Sequence, residues 1–183
     1  MPALQTPDYW TADMVRDLPD DGNRYETVHG ELLVTPSPRM WHQIVASRLT
    51  RLLGDYLRRE PVGMAFGLDA DISWAPDVLV KPDVFVAPLP EVRTLDWAEV
   101  RSLLLVAEVL SPSTRRADRF VKRPLYQEVG IPLCWIIEAD EHYAEVWTPD
   151  AALPTIEREA LTWHPAGAVT ACAIPLEELF RPV

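Results

Sequence analysis

The spacing of apolar residues divides the chain into short elements. The longest helical pattern runs from about Met40 to Arg59, where Val45, Leu49, Leu52, Leu53 and Tyr56 recur at three- and four-residue steps. That spacing predicts a helix with one apolar face, stopped by Pro61. Before it, Thr11 caps a predicted short helix, Ala12 to Leu18, ended by Pro19. Arg24 to Val28 and Glu31 to Thr35 read as a hairpin turning at His29-Gly30. Strict alternation from Leu68 to Trp74 predicts a half-buried strand, and Pro82 to Ala87 another. Asp96 to Ser102 reads as a short helix. The nearly unbroken apolar run Leu103 to Leu110 predicts a central strand buried on both faces.

Ser111-Pro112-Ser113-Thr114 ends that run, and Arg115 to Val129 reads as a helix closed by Gly130. Pro132 to Ile137 and Tyr143 to Thr148 form a predicted strand pair across an Asp140-Glu141 turn. Thr155 to Thr162 and Ala168 to Ile174 add more sheet, and Pro175 to Phe180 a closing helical turn. This order predicts a mixed α/β (α+β) domain with a central mixed β-sheet, flanking helices and an N-terminal β-hairpin. The length of 183 residues suits one domain over 1–183.

Composition narrows the function classes. There are 17 basic and 28 acidic residues, a formal net charge of −11, which argues against a general nucleic-acid coat or a membrane-surface binder. No apolar run approaches the roughly 20 residues of a membrane span, and Met1 to Trp10 shows no signal peptide. Cys134 and Cys172 form no metal-ligand or disulfide pattern. These features predict a cytoplasmic protein with two free thiols. The acidity is uneven: residues 124–183 carry a net −8, whereas Arg115 to Arg123 carries five bases and one acid.

Glu108 interrupts the central apolar run. A carboxylate there is costly unless paired, solvated or bound to metal. It reads either as a strand-end residue reaching solvent or an arginine, or as a metal-binding or acid/base group. Asp83, opening a strand after Pro82, is its natural partner, with Lys81 on the same face. Two carboxylates converging from neighbouring strands suit a hard cation such as Mg²⁺, with Mn²⁺ substituting.

The chain from Arg24 to Pro149 carries Tyr25-Glu26-Thr-Val-His-Gly-Glu31-Leu and Pro36-Ser-Pro38 followed by His42. Then come Pro82-Asp83-Val, Glu108-Val-Leu-Ser-Pro-Ser-Thr114, Arg116-Ala-Asp118 with Lys122, Tyr126 with Gly130-Ile-Pro, and Trp135-Ile-Ile. In this order, over about two thirds of the chain, it resembles the Uma-type family of putative restriction endonucleases, within the PD-(D/E)XK nuclease superfamily. The resemblance implies a restriction-endonuclease-like fold with a family-like core over about 24–149 and a C-terminal strand extension over 150–183. It implies Asp83 and Glu108 as metal-holding acids and Glu31 as a supporting carboxylate. The parent motif has lysine two residues after the second acid, where this chain has Leu110. Lys122 on the next helix is the expected replacement and Lys81 the reserve.

His42 and Asp118 are candidate supporting residues. Arg115, Arg116, Arg119 and Arg123 form a candidate phosphate clamp beside Glu108. The expectation is a Mg²⁺-dependent endonuclease hydrolysing DNA, with a homodimer implied by family analogy. Its rivals are a catalytically inactive module of the same fold, for nucleic-acid binding or protein assembly, and a hydrolase of small phosphoesters.

Overall fold

The computed structural model describes residues 7–67 and 70–183. Helix α1 (Ala12–Arg16) starts where the Thr11 hydroxyl accepts from the Met14 N–H. Strands β1 (Asn23–Val28) and β2 (Glu31–Pro36) pair antiparallel from Asn23–Pro36 to Val28–Glu31. They turn through His29 (φ 50°) and Gly30 (φ 81°), the two positive-φ residues of a type I′ hairpin. A Cβ on Gly30 would also collide with the Tyr9 ring. Helix α2 (Met40–Leu57) follows, and its predicted apolar face is buried through Val45, Leu49, Leu53 and Tyr56.

Next come β3 (Gly63–Gly67), β4 (Ile72–Ala75), β5 (Val78–Val80) and β6 (Val84–Pro88). Neither β3 nor β5 stands out in the pattern: β3 is a short Gly-bounded segment and β5 has three residues. The start of the predicted Leu68–Trp74 strand lies outside the described residues, and its end is β4. Helix α3 (Leu89–Val92) and a single 3₁₀ turn, Trp97–Glu99, occupy the next connection. Strand β7 (Leu105–Val109) is buried at every position.

The predicted 115–129 helix is one helical stretch in three windings: α4 (Arg115–Ala117), a π-turn (Asp118–Lys122) and α5 (Arg123–Glu128). Strands β8 (Cys134–Glu138) and β9 (Tyr143–Trp147) follow, then β10 (Thr155–Glu157), β11 (Ala160–Trp163), β12 (Cys172–Pro175) and α6 (Leu176–Phe180).

A six-stranded mixed sheet, ordered β10-β9-β8-β7-β6-β3, forms the centre. Among the described residues only β7 and β8 pair parallel, and the 115–128 helix is their crossover. Alternate residues divide the core. Val84, Val86, Leu105, Ala107, Trp135 and Ile137 pack on the α2 side. Phe85, Val106, Leu110, Ile136 and Tyr126 pack on the other, against Val28, Val78 and Val80 of a second sheet ordered β2-β1-β5-β4. Gly63 lets β3 and β6 approach: a Cβ there would lie 2.7 Å from the Ala87 carbonyl oxygen.

Candidate active site

Strand register brings the two acids together. Asp83 lies one step beyond the Val84–Ala107 pair, opposite Glu108 near the end of β7. The Val109 N–H donates to Asp83 Oδ2 at 2.9 Å, and the Asp83 N–H points at Glu108 Oε2 from 3.4 Å. Glu108 shares the Val106 face, which turns it toward the crossover helix and the hairpin sheet.

The crossover helix supplies the cation. An i→i+5 winding admits an extra residue per turn. Asp118 and Lys122 are both buried, while Phe120 between them is exposed. Lys122 Nζ lies 2.8 Å from Glu108 Oε1, 2.9 Å from Glu26 Oε1 and 3.8 Å from Asp118 Oδ1. The Tyr126 hydroxyl donates to the same Glu108 Oε1. Strand β1 closes the far side. Arg24, Glu26 and Val28 share one face, and Val28 lies in the core. Glu26 Oε1 also accepts from the Lys81 N–H at 2.7 Å, and Arg24 Nη1 donates to Asp83 Oδ1 at 2.8 Å.

His42, on the first turn of α2, places Nε2 3.2 Å from that same Asp83 oxygen. The contact is close but poorly directed, and neither ring nitrogen of this buried histidine has a well-aligned hydrogen-bond partner. A shallow depression lined by Ala46, Ser47, Thr50, Arg51 and Gly67 reaches Asp83 from the α2–β3 side.

The cluster holds four buried carboxyl groups, Glu26, Asp83, Glu108 and Asp118, against two fixed cations, Arg24 and Lys122. That imbalance sets the ionisation. Burial opposes the charged form of Asp83, but His42, Arg24 and Lys122 outweigh it and hold the carboxyl well below its ordinary range. Burial raises Glu108 well above its usual value; Lys122 opposes this, and the neighbouring carboxylates add to it. Asp118 is pushed up to about 7, chiefly by burial. Lys122 is held protonated: burial disfavours its charge, but the surrounding carboxylates prevail.

The chemistry of this donor set suits a divalent cation. Asp83 and Glu108 offer hard oxygen ligands, and two uncompensated negative charges call for protons or a dication. Among the described residues no three His, Cys, Asp or Glu side chains are arranged as a ready-made metal cage. Mg²⁺ takes one or two carboxylates and keeps several waters, so two acids suffice.

Asp83, Glu108, Lys122 and Asp118 therefore converge, with His42 at the edge. Glu31 does not: it is paired with Val28 at the exposed hairpin end, and Glu26, the other glutamate of that motif, occupies the cluster. Lys81 points its ammonium to Asp71 at 3.4 Å, and only its backbone N–H joins the site. The arginine clamp is largely engaged inside the protein. Arg115 pairs with Glu138 at 2.9 Å and Arg119 with Glu145 at 2.8 Å, while Arg123 stacks over Trp147 and donates to Gln127. Arg116 alone of the four is exposed and without an ion pair among the described residues. Two acids of the C-terminal half, Glu138 and Glu145, thus neutralise Arg115 and Arg119 of the basic stretch. Sequence reasoning assigned no role to Glu26, Arg24 or Tyr126. The alternation Arg24, Glu26, Val28 was the available signal for the first two.

A mixed sheet carrying opposed acids at a strand end, with a crossover helix delivering lysine, defines a restriction-endonuclease-like fold. A solved structure shares it: a putative nuclease belonging to DUF820 from Anabaena variabilis, with a TM-score of 0.75 and 22% identity, covering 93% of this chain and 97% of that one. Residues 12–173 match the family described as "Uma2: Putative restriction endonuclease", and the chain belongs to that family. No curated protein sequence matches it. Among the described residues no helix is long and apolar enough to cross a membrane.

Proposed function

We propose that this protein is a Mg²⁺-dependent endonuclease of the PD-(D/E)XK type that hydrolyses phosphodiester bonds of DNA. One observation carries the reading: the Lys122 ammonium lies 2.8 Å from Glu108 although the motif position is Leu110. Asp83 and Glu108 would hold the metal, which when bound supplies Lewis-acid polarisation of the phosphate and a more acidic water. The Lys122 charge stabilises the negative charge that develops on the phosphoryl oxygens. Glu26 and Asp118 hold Lys122 in place, Tyr126 fixes the orientation of Glu108, and Arg24 keeps Asp83 ionised. Cutting both strands of a duplex requires a second copy or a second encounter, and plasmid products, nicked or linear, distinguish these from single-strand cutting.

The test is cleavage of plasmid and of labelled single- and double-stranded oligonucleotides in Mg²⁺, Mn²⁺ or EDTA. Asp83→Asn and Glu108→Gln, which keep side-chain shape, are expected to lose cleavage and retain the native circular dichroism spectrum. No metal-dependent cleavage of any of these substrates by the folded wild-type chain overturns the reading.

A second reading is a non-catalytic module of the same fold, for nucleic-acid binding or assembly. It is favoured by the closure of the site: both oxygens of Asp83 and of Glu108 already face protein donors. Calorimetry with Mn²⁺ separates the two, because the module has no heat of binding that depends on Asp83 and Glu108.

A further inference from the structure

Beside the acids, on the hairpin side, an open polar cleft is lined by Asn23, Arg24, Ser37, Gln43 and Lys81, with Asp20 at its rim. Its charge comes from three sources. Arg24 commits Nη1 to Asp83 and to the Lys81 carbonyl and has no other acceptor among the described residues. Lys81 adds an ammonium only loosely held, 3.4 Å from Asp71. Helix α2 begins at the cleft between Pro38 and Gln43, with no side-chain cap and no acid in its first turn. Its free N–H groups and positive dipole end are therefore uncompensated. An uncapped helix start, a loosely held ammonium and a half-used guanidinium on one cleft are a set of donors for an anion.

We propose that this cleft, between the β1–β2 hairpin and the first turn of α2, seats the phosphodiester backbone of the nucleic acid, leading it from Lys81 and Gln43 past Arg24 to Asp83. The inference rests on the endonuclease reading and gives it a direction. The backbone enters across the hairpin and not along the 115–123 helix, where Arg115 and Arg119 are paired with Glu138 and Glu145 and only Arg116 is exposed and unpaired among the described residues.

Binding without cleavage tests it: fluorescence anisotropy of a labelled oligonucleotide with the full chain in EDTA and again in Ca²⁺, over a salt series. Gln43→Glu is nearly isosteric and places its new charge in the first turns of α2, where the helix dipole tolerates it. Lys81→Gln removes one cleft charge, and Arg116→Glu reverses the free arginine of the other face. Melting curves confirm that each variant is folded. Gln43→Glu and Lys81→Gln are expected to weaken binding by about fivefold or more, with the salt slope of Lys81→Gln reduced by about one. Arg116→Glu is expected to stay within about twofold of wild type. Wild-type affinity in both cleft variants overturns the cleft assignment alone, whether or not Arg116→Glu loses binding. No binding of any oligonucleotide by the wild-type chain overturns the cleft and the nuclease reading together.

Discussion

Replacing Asp118 by asparagine weighs the buried charge imbalance directly. The Asp118 carboxyl sits beside Lys122 with an ordinary value of 3.8 and is pushed up to about 7 in the fold by burial, with Asp83 and Glu26 adding to it and Lys122 opposing. Between those two values the folded protein binds more protons than the unfolded chain, so stability falls as pH rises. The distance from 3.8 to about 7 corresponds to about 4 kcal/mol, of which about 3 kcal/mol is expressed between about pH 5 and about pH 8. Glu108, also raised, acts in the same direction. Asp83, lowered, matters only in acid, where its contribution is lost as pH falls. The informative quantity is the difference between wild type and Asp118→Asn, in which groups common to both proteins cancel. Urea unfolding of both proteins in EDTA, at constant ionic strength across that range, measures it. The variant is expected to gain on wild type by about 2 to 3 kcal/mol from the acid end to the alkaline end. A difference that stays constant with pH would refute the burial argument, because it would mean that Asp118 is ionised throughout.

Two further outcomes follow from named contacts. Lys122→Met removes the ammonium shared by Glu108, Glu26 and Asp118 and leaves three buried carboxyls without it. It is expected to cost about 3 to 5 kcal/mol at neutral pH, read as a lowered urea midpoint, and less in acid where the carboxyls protonate. An unchanged midpoint would show that the cluster does not hold the crossover helix on the sheet. Gly63→Ala forces a methyl to within 2.7 Å of the Ala87 carbonyl and 2.8 Å of a Val86 methyl. The β3–β6 pairing is expected to lose about 1 to 3 kcal/mol of stability in the same assay, and a change below about 0.5 kcal/mol would contradict the close approach of the two strands.

Element type was legible wherever one face of an element is apolar over several residues. The α2 stripe, the all-buried β7 and the hairpin at His29-Gly30 each carry a local physical cause within their own sequence. Strands β3 and β5 do not: β5 has three residues, paired with β4 across a short turn and with β1 from far along the chain, and the Gly-bounded edge strand β3 takes its pairing from β6. The same division runs through the site. Asp83 and Glu108 interrupt apolar patterns, so each announces itself. The arginines of the crossover helix do not announce their partners, since Glu138 and Glu145 lie on strands more than twenty residues away.

Glu26 and Glu31 show where local pattern stops deciding, because they stand in one motif five residues apart. Antiparallel register pairs Glu26 with Leu33 in mid-strand and Glu31 with Val28 at the turn. Directly paired residues project to the same side of a sheet, so both glutamates belong to the Val28 and Leu33 face. Alternation alone therefore cannot choose between them. Position along the strand does: Glu26 lies about 7 Å further from the turn than Val28, at a strand rise of about 3.4 Å per residue. There β1 passes over the central sheet and Glu26 meets Lys122, whereas Glu31 stays exposed at the hairpin end. How far the hairpin overhangs the sheet is a tertiary property, and no short-range signal carries it.

The lysine was harder. From Leu110 a side chain shares the strand face of Glu108, and this leucine is packed in the apolar layer with Ile131 and Tyr126. A cation reaching Glu108 must therefore come from another element. Regular helical spacing already aligns Asp118 with Lys122, which suggests a surface ion pair. The π-turn lies on this segment, and both residues are buried against the sheet while Phe120 is exposed. Buried, the pair's meaning changes: Asp118 and Glu26 hold Lys122 charged beside Glu108, where on a solvated surface they would contribute little.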